Sequence, residues 1–194
     1  MKKSVLHYIF LSIMICVISF MTSCADLRIY DSIDEYLEQI DHAGVGLTSL
    51  SLDDPEYFLP SQTFCTDYEY VNAGYYLQDT LSSKIPSYVI LYLEYEERVY
   101  FEAKYAMFEG IEPYFDDMYL HNGYVFYKNS NYIRLSANGK NGDRFPKCFT
   151  MAGYNDNKKT LIFLGYYLFE SQENIEDWGA FLEEIYGEHY DFSE

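Results

Sequence analysis

The chain has 194 residues and a lopsided charge, with 31 Asp and Glu against 13 Lys and Arg, a formal net charge of −18. Such a surface repels phosphate backbones and anionic headgroups, which argues against a nucleic-acid partner and leaves cations, a basic protein or plain solubility as its purpose. Aromatic residues make up 20% of the chain, 23 Tyr and 14 Phe against one Trp, a composition suited to pleated, half-buried surfaces; most of these rings are expected in the core and in cross-strand pairs, with a Tyr-lined face for a sugar or peptide as the functional alternative.

The first element is a leader. Lys2 and Lys3 precede an almost unbroken apolar run from Val5 to Phe20, and Met21, Thr22, Ser23 and Cys24 follow it. A basic start, an apolar centre and small residues before a cut site describe a secretory signal over residues 1–23. An uncleaved membrane span is the alternative, but the run sits at the short edge of the roughly 17–25 residues a span needs, and Ser12 and Ser19 interrupt it. Small residues running into a cysteine resemble the lipobox of bacterial lipoproteins. The resemblance covers residues 1–24 alone, with Met21 where a branched aliphatic is usual. It implies that the signal is cut before Cys24, that Cys24 carries the lipid, and that the protein is held at the bacterial cell membrane facing away from the cytoplasm. Two or three acyl chains anchor stably where one is marginal. The cut leaves 171 residues, enough for one core. Lys2 and Lys3 leave with the signal, so 11 basic side chains face 31 acidic ones, a net charge of −20.

Residues 24–30 read as a lipidated tether and 31–194 as a single domain. Ser32 with Glu35 three residues on is a capping-box pattern. It opens a helix with Ile33, Tyr36, Leu37 and Ile40 on one stripe, ended by Gly44 and Gly46. Ser49 to Ser61 reads as loop. Phe64 to Asp79 reads as one or two strands with a break at Ala73-Gly74. Tyr88 to Tyr95 reads as a strand with Val89, Leu91 and Leu93 on one face, and Val99 to Met107 as a second strand by period-two alternation, with Glu96-Glu97 as the turn. A helix from Glu96 to Phe108 is the rival reading, since Glu, Ala, Lys and Met are good helix formers. Asn122-Gly123 supplies the two positive-φ positions of a type I′ hairpin turn, joining 114–120 to 124–128. Strands at 132–137, 148–154 and 160–169 follow, the last two closed through Asn155-Asp156-Asn157. Asn174 is the expected cap of a final helix with Ile175, Trp178, Phe181, Leu182, Ile185 and Tyr186 on its apolar stripe. The sum is an α+β fold: a twisted antiparallel sheet of six to eight strands, largely meander, with an N-terminal and a C-terminal amphipathic helix against one face.

Chemistry is sparse in the sequence. His42, His121 and His189 each stand alone and read as solvated; no HExxH, GxSxG or phosphate-loop pattern occurs. Cys65 and Cys148 are candidates for a disulfide in an oxidising compartment, or for two separate buried thiols. Asp53, Asp54 and Glu56, and Asp116 with Asp117, form acidic clusters that read as solvated faces; a D-x-D-x-D-G calcium loop is missing. No catalytic residue, metal site or cofactor is assigned. The sequence therefore points to a lipid-anchored, non-catalytic module that binds a protein, peptide or cell-wall component. The alternative is an envelope-associated hydrolase working through a carboxylate pair.

Overall fold

The computed structural model describes residues 27–39, 59–80, 84–109, 117–129, 149–168 and 175–192. It is a mixed α+β structure built on an antiparallel sheet. The strands are β1 (Arg28–Tyr30), β2 (Asn72–Asp79), β3 (Ser87–Glu94), β4 (Asp117–His121), β5 (Tyr124–Asn129), β6 (Phe149–Asn155) and β7 (Thr160–Tyr167). They lie in the order β1-β2-β3-β7-β6-β5-β4. The sheet is two meanders, β1 to β3 and β4 to β7, joined at its centre by the long-range pairing of β3 with β7 from Ser87↔Tyr167 to Glu94↔Thr160.

The helices are α1 (Ile33–Gln39), α2 (Gln62–Asp67), α3 (Glu97–Phe108) and α4 (Trp178–Tyr186). They occupy both faces of the sheet, where the sequence suggested one. Tyr36 of α1, Cys65 of α2, and Tyr100 and Ala103 of α3 share a buried cluster with Leu91 and Phe163. Leu182, Ile185 and Tyr186 of α4, with Tyr190 and Phe192 beyond it, share the opposite cluster with Ile90 and Ile162. The reason is in the central strands. Ile90 and Leu91, and Ile162 and Phe163, are adjacent and fully buried, so β3 and β7 are apolar on both sides and each side needs a cover.

Three segments differ from the sequence reading. Residues 97–108 are helix, not strand. Tyr100 and Ala103, three apart, are buried, whereas Phe101 and Tyr105 are 54% and 68% exposed; the apparent alternation of Val99, Phe101, Ala103 and Tyr105 does not separate inside from outside. Residues 62–67 are also helical, because Ser61 caps them: its side chain accepts from the Phe64 amide at 3.2 Å. The strand then begins only at Asn72. Finally, Arg28–Tyr30 is an edge strand paired with Leu77–Asp79, so the end of the stretch read as tether belongs to the sheet.

Other local signals are found where they were placed. Asn122 and Gly123 have φ of 44° and 77°, and β4 and β5 close on the pair His121↔Tyr124. The Asn155 side chain accepts from the amides of Asn157 and Lys158 at 2.9 and 3.0 Å and shapes the β6–β7 turn. The cap of α4 is instead Asp177, not the expected Asn174: the Asp177 carboxylate accepts from the Ala180 amide at 3.0 Å, so the helix starts at Trp178, three residues later than the sequence suggests. Asn174, Ile40, Gly44, Gly46 and the strand expected at 132–137 lie outside the described residues.

Candidate functional site

Strand alternation sends Tyr75 and Leu77 of β2 toward α1, and Tyr76 toward the α4 side. In β3, Tyr88, Ile90 and Tyr92 share that second face. Register places Gln78 opposite Tyr88 and Gly74 opposite Tyr92. A Cβ on Gly74 would lie 2.1 Å from Cε1 of Tyr92, so the missing side chain is what lets the Tyr92 ring lie flat across the neighbouring strand. The Tyr76 ring stacks between Tyr88, at 5.7 Å and 28°, and His189, at 3.7 Å and 19°. Tyr92 continues the row to Tyr190 at 4.6 Å.

The far wall of this strip comes from the chain after α4. The amides of His189 and Tyr190 both donate to the Tyr186 carbonyl, which folds the tail back onto the sheet. Tyr190 is fixed there by its hydroxyl contact with Tyr124. Tyr76, Tyr88, Tyr92 and His189 are all half-buried. The result is a row of half-buried rings, stacked on or tilted against one another, along one face of the sheet.

The strip carries no charge at neutral pH. Burial raises the Tyr88 phenol well above its ordinary value, with the Tyr76 hydroxyl adding to it. Burial also raises Tyr92, helped by Glu94. The same desolvation lowers His189, against a smaller upward pull from Glu188. An uncharged aromatic row on a strongly acidic protein can stack on planar or apolar surfaces and donate hydroxyl hydrogen bonds.

The lowered His189 value has a stability consequence. The unfolded chain takes up a proton near pH 6.5 that the folded strip resists, so this contribution is present above that pH and is lost as pH falls through it. Thermal unfolding of the wild-type protein and His189→Phe, compared between about pH 7.5 and 5.5, is expected to show a steeper loss of Tm in the wild type; parallel curves would remove the argument.

The residues singled out in the sequence are scattered. Cys65 is a buried free thiol in α2, and desolvation pushes its pKa up to about 12, which makes it inert. Cys24, Cys148, His42, Asp53, Asp54, Glu56 and Asp116 lie outside the described residues. His121 is not the solvated side chain expected. It is 16% exposed, and its Nε2 is 2.9 Å from Glu183 of α4, whose carboxylate also accepts from Asn122 at 3.2 Å. Asp117 is held below the usual carboxylate range by a hydrogen bond from Lys128. Asp156 is desolvated, yet Lys104 at 2.6 Å and the Tyr100 hydroxyl at 2.8 Å outweigh that and lower it too. These contacts tie α3 to the β6–β7 turn, α4 to the end of β4, and β4 to β5.

Among the described residues no group of three or more His, Cys, Asp and Glu could hold a metal ion, and no helix is long and apolar enough to cross a membrane. The sequence signal for the strip was the even spacing of Tyr88 and Tyr92 in one strand beside Gly74 and Tyr76; nothing local announced His189 as their partner. Comparison with protein-family models, with curated proteins and with solved structures finds no match to this chain.

Proposed function

We propose that the protein is a lipid-anchored, extracytoplasmic binding module of the bacterial cell membrane, attached through Cys24, and that the strip of Tyr76, Tyr88, Tyr92 and His189 is its ligand face. Residues 1–23 are the signal in this reading, and the chain beyond Cys24 is one domain carried by a single sheet. The observation that supports a ligand face is the flat, uncharged ring row, with Gly74 leaving room for Tyr92. Half-exposed rings that already stack on one another lose little side-chain freedom when a ligand covers them. The ligand class that fits is one with flat apolar faces and hydrogen-bonding edges: a cell-wall glycopeptide, or an aromatic-rich protein segment. No step of chemistry is assigned.

Two readouts test this separately. In cells making the full chain, Cys24→Ala is expected to move the protein from the detergent-extracted membrane fraction to the soluble extracytoplasmic fraction; unchanged retention, or an intact mass that still includes Met1 to Ser23, overturns the anchor. Solubilised cell-wall fragments titrated into the purified protein are expected to bind, with Tyr76→Ala weakening the affinity about tenfold, the scale of one lost ring contact of about 1–1.5 kcal/mol. Binding that ignores Tyr76→Ala and Tyr92→Ala overturns the ligand face. Turnover of glycoside or peptide reporters by the wild-type protein overturns the non-catalytic reading.

A further inference from the structure

We infer that the outer edge of β4 is a self-association surface, on which a second copy of the chain pairs antiparallel about a two-fold axis through Tyr119. Among the described residues the sheet ends in two edges, β1 and β4. Soluble proteins guard such edges with very short strands, Pro, Lys or bulges, because unpaired amide groups template pairing. β1 is guarded by its length, three residues. β4 is five residues, Asp-Met-Tyr-Leu-His, without Pro or Lys. Met118 and Leu120 are 56% and 74% exposed on it.

Backbone parity supports one register. The two-residue turn at Asn122-Gly123 closes on the hydrogen-bonded pair His121↔Tyr124. Asp117, Tyr119 and His121 therefore aim their amide groups at β5, and Met118 and Leu120 aim theirs outward. Centring a two-fold on Tyr119 sets Met118 opposite Leu120 of the second copy, and the reverse, so both pairs exchange backbone hydrogen bonds. It is the one two-fold register that pairs all five residues.

The side chains agree with that register. Apolar Met118 meets apolar Leu120 on one face. On the other face Asp117, held by Lys128, lies opposite His121, held by Glu183, so no bare carboxylate stands directly opposite another across the pair. Tyr119, stacked 4.5 Å from Trp178, meets its own copy at the axis. An isologous contact of this kind closes on itself and stops at two copies. The opposing force is the net charge of −18 on each chain, which is long-ranged and therefore screened by salt, whereas the strand pairing is not.

The test uses the full chain purified in detergent. Protein mass by light scattering is expected at twice the protomer value. The dimer fraction is expected to rise as salt goes from about 10 mM to about 150 mM, which shortens the screening length from about 30 Å to about 8 Å. Leu120→Lys, at an exposed position, is expected to give a single protomer with an unchanged Tm. Under mild oxidation Tyr119→Cys is expected to form a covalent dimer above the background of the unsubstituted chain, because an axial, non-hydrogen-bonded pair brings Cα atoms to about 4.5 Å. Val71→Cys, exposed elsewhere, is expected to add nothing. A protomer mass at every salt concentration overturns the inference, as does a dimer that survives Leu120→Lys or a protomer that captures an extended peptide strand instead.

Discussion

Phe163→Ala is expected to lower the unfolding free energy by about 3–5 kcal/mol, the range for truncating a buried aromatic ring. Phe163 sits in β7 with no exposed surface, paired with Leu91 on one side and Ala152 on the other. Ala103 of α3 belongs to the same cluster. Small neighbours have no atoms to swing into the space, so the cavity persists and the cost lies toward the upper end. The backbone at this position is held from the other face, where the Tyr186 hydroxyl donates to the Phe163 carbonyl at 2.7 Å, so the strand does not collapse to relieve the void. Urea unfolding reads the effect as a lower midpoint at unchanged slope. Phe101→Ala, on the open side of α3, is the control and is expected to change stability by about 0.5 kcal/mol or less. A loss at Phe163 as small as the control's would mean that the two clusters do not carry the fold.

Gly153→Val is expected to cost about 3 kcal/mol by the opposite mechanism. A Cβ at Gly153 would stand 2.7 Å from Cδ1 of Phe126 and 3.0 Å from both Cγ2 of Ile162 and the Val125 carbonyl oxygen. Phe126 and Ile162 flank Gly153 in register on its two sides and are fully buried, so neither ring nor methyl has an open direction. The carbonyl is part of the β5 ladder and cannot turn away. Overpacking of this kind commonly costs about 1–3 kcal/mol, and a branched residue adds to it. The same unfolding experiment measures it, and a variant as stable as wild type would mean the strands can part at that point.

The sequence made the hairpins legible because their information is local. Asn122-Gly123 and the Asn155 turn need only their own backbone, and both are where the residues put them. The central pairing, β3 with β7, was not legible: it joins segments more than sixty residues apart, and no side-chain pattern names its partner. The helix at 97–108 was misread because an amphipathic helix with aromatics on its outer side mimics strand alternation; what decides it is the burial of Tyr100 and Ala103, a tertiary fact. For the candidate site, Gly74 and the tyrosines of β2 and β3 were visible as residue types. Their assembly depends on His189 and Tyr190 arriving from the other end of the chain, which only the folded tail supplies.

The edge strand at Arg28–Tyr30 also limits how far the domain can stand from a bilayer. Cys24 and Arg28 are four Cα steps apart, at most about 14 Å of extended chain. With the proposed lipid on Cys24 there is no stalk: one margin of the sheet rides at the height of the headgroups, within about two screening lengths of them. A protein with so large an acidic surplus is then held beside any anionic lipid by its acyl chains alone, with the sheet reaching outward from that margin.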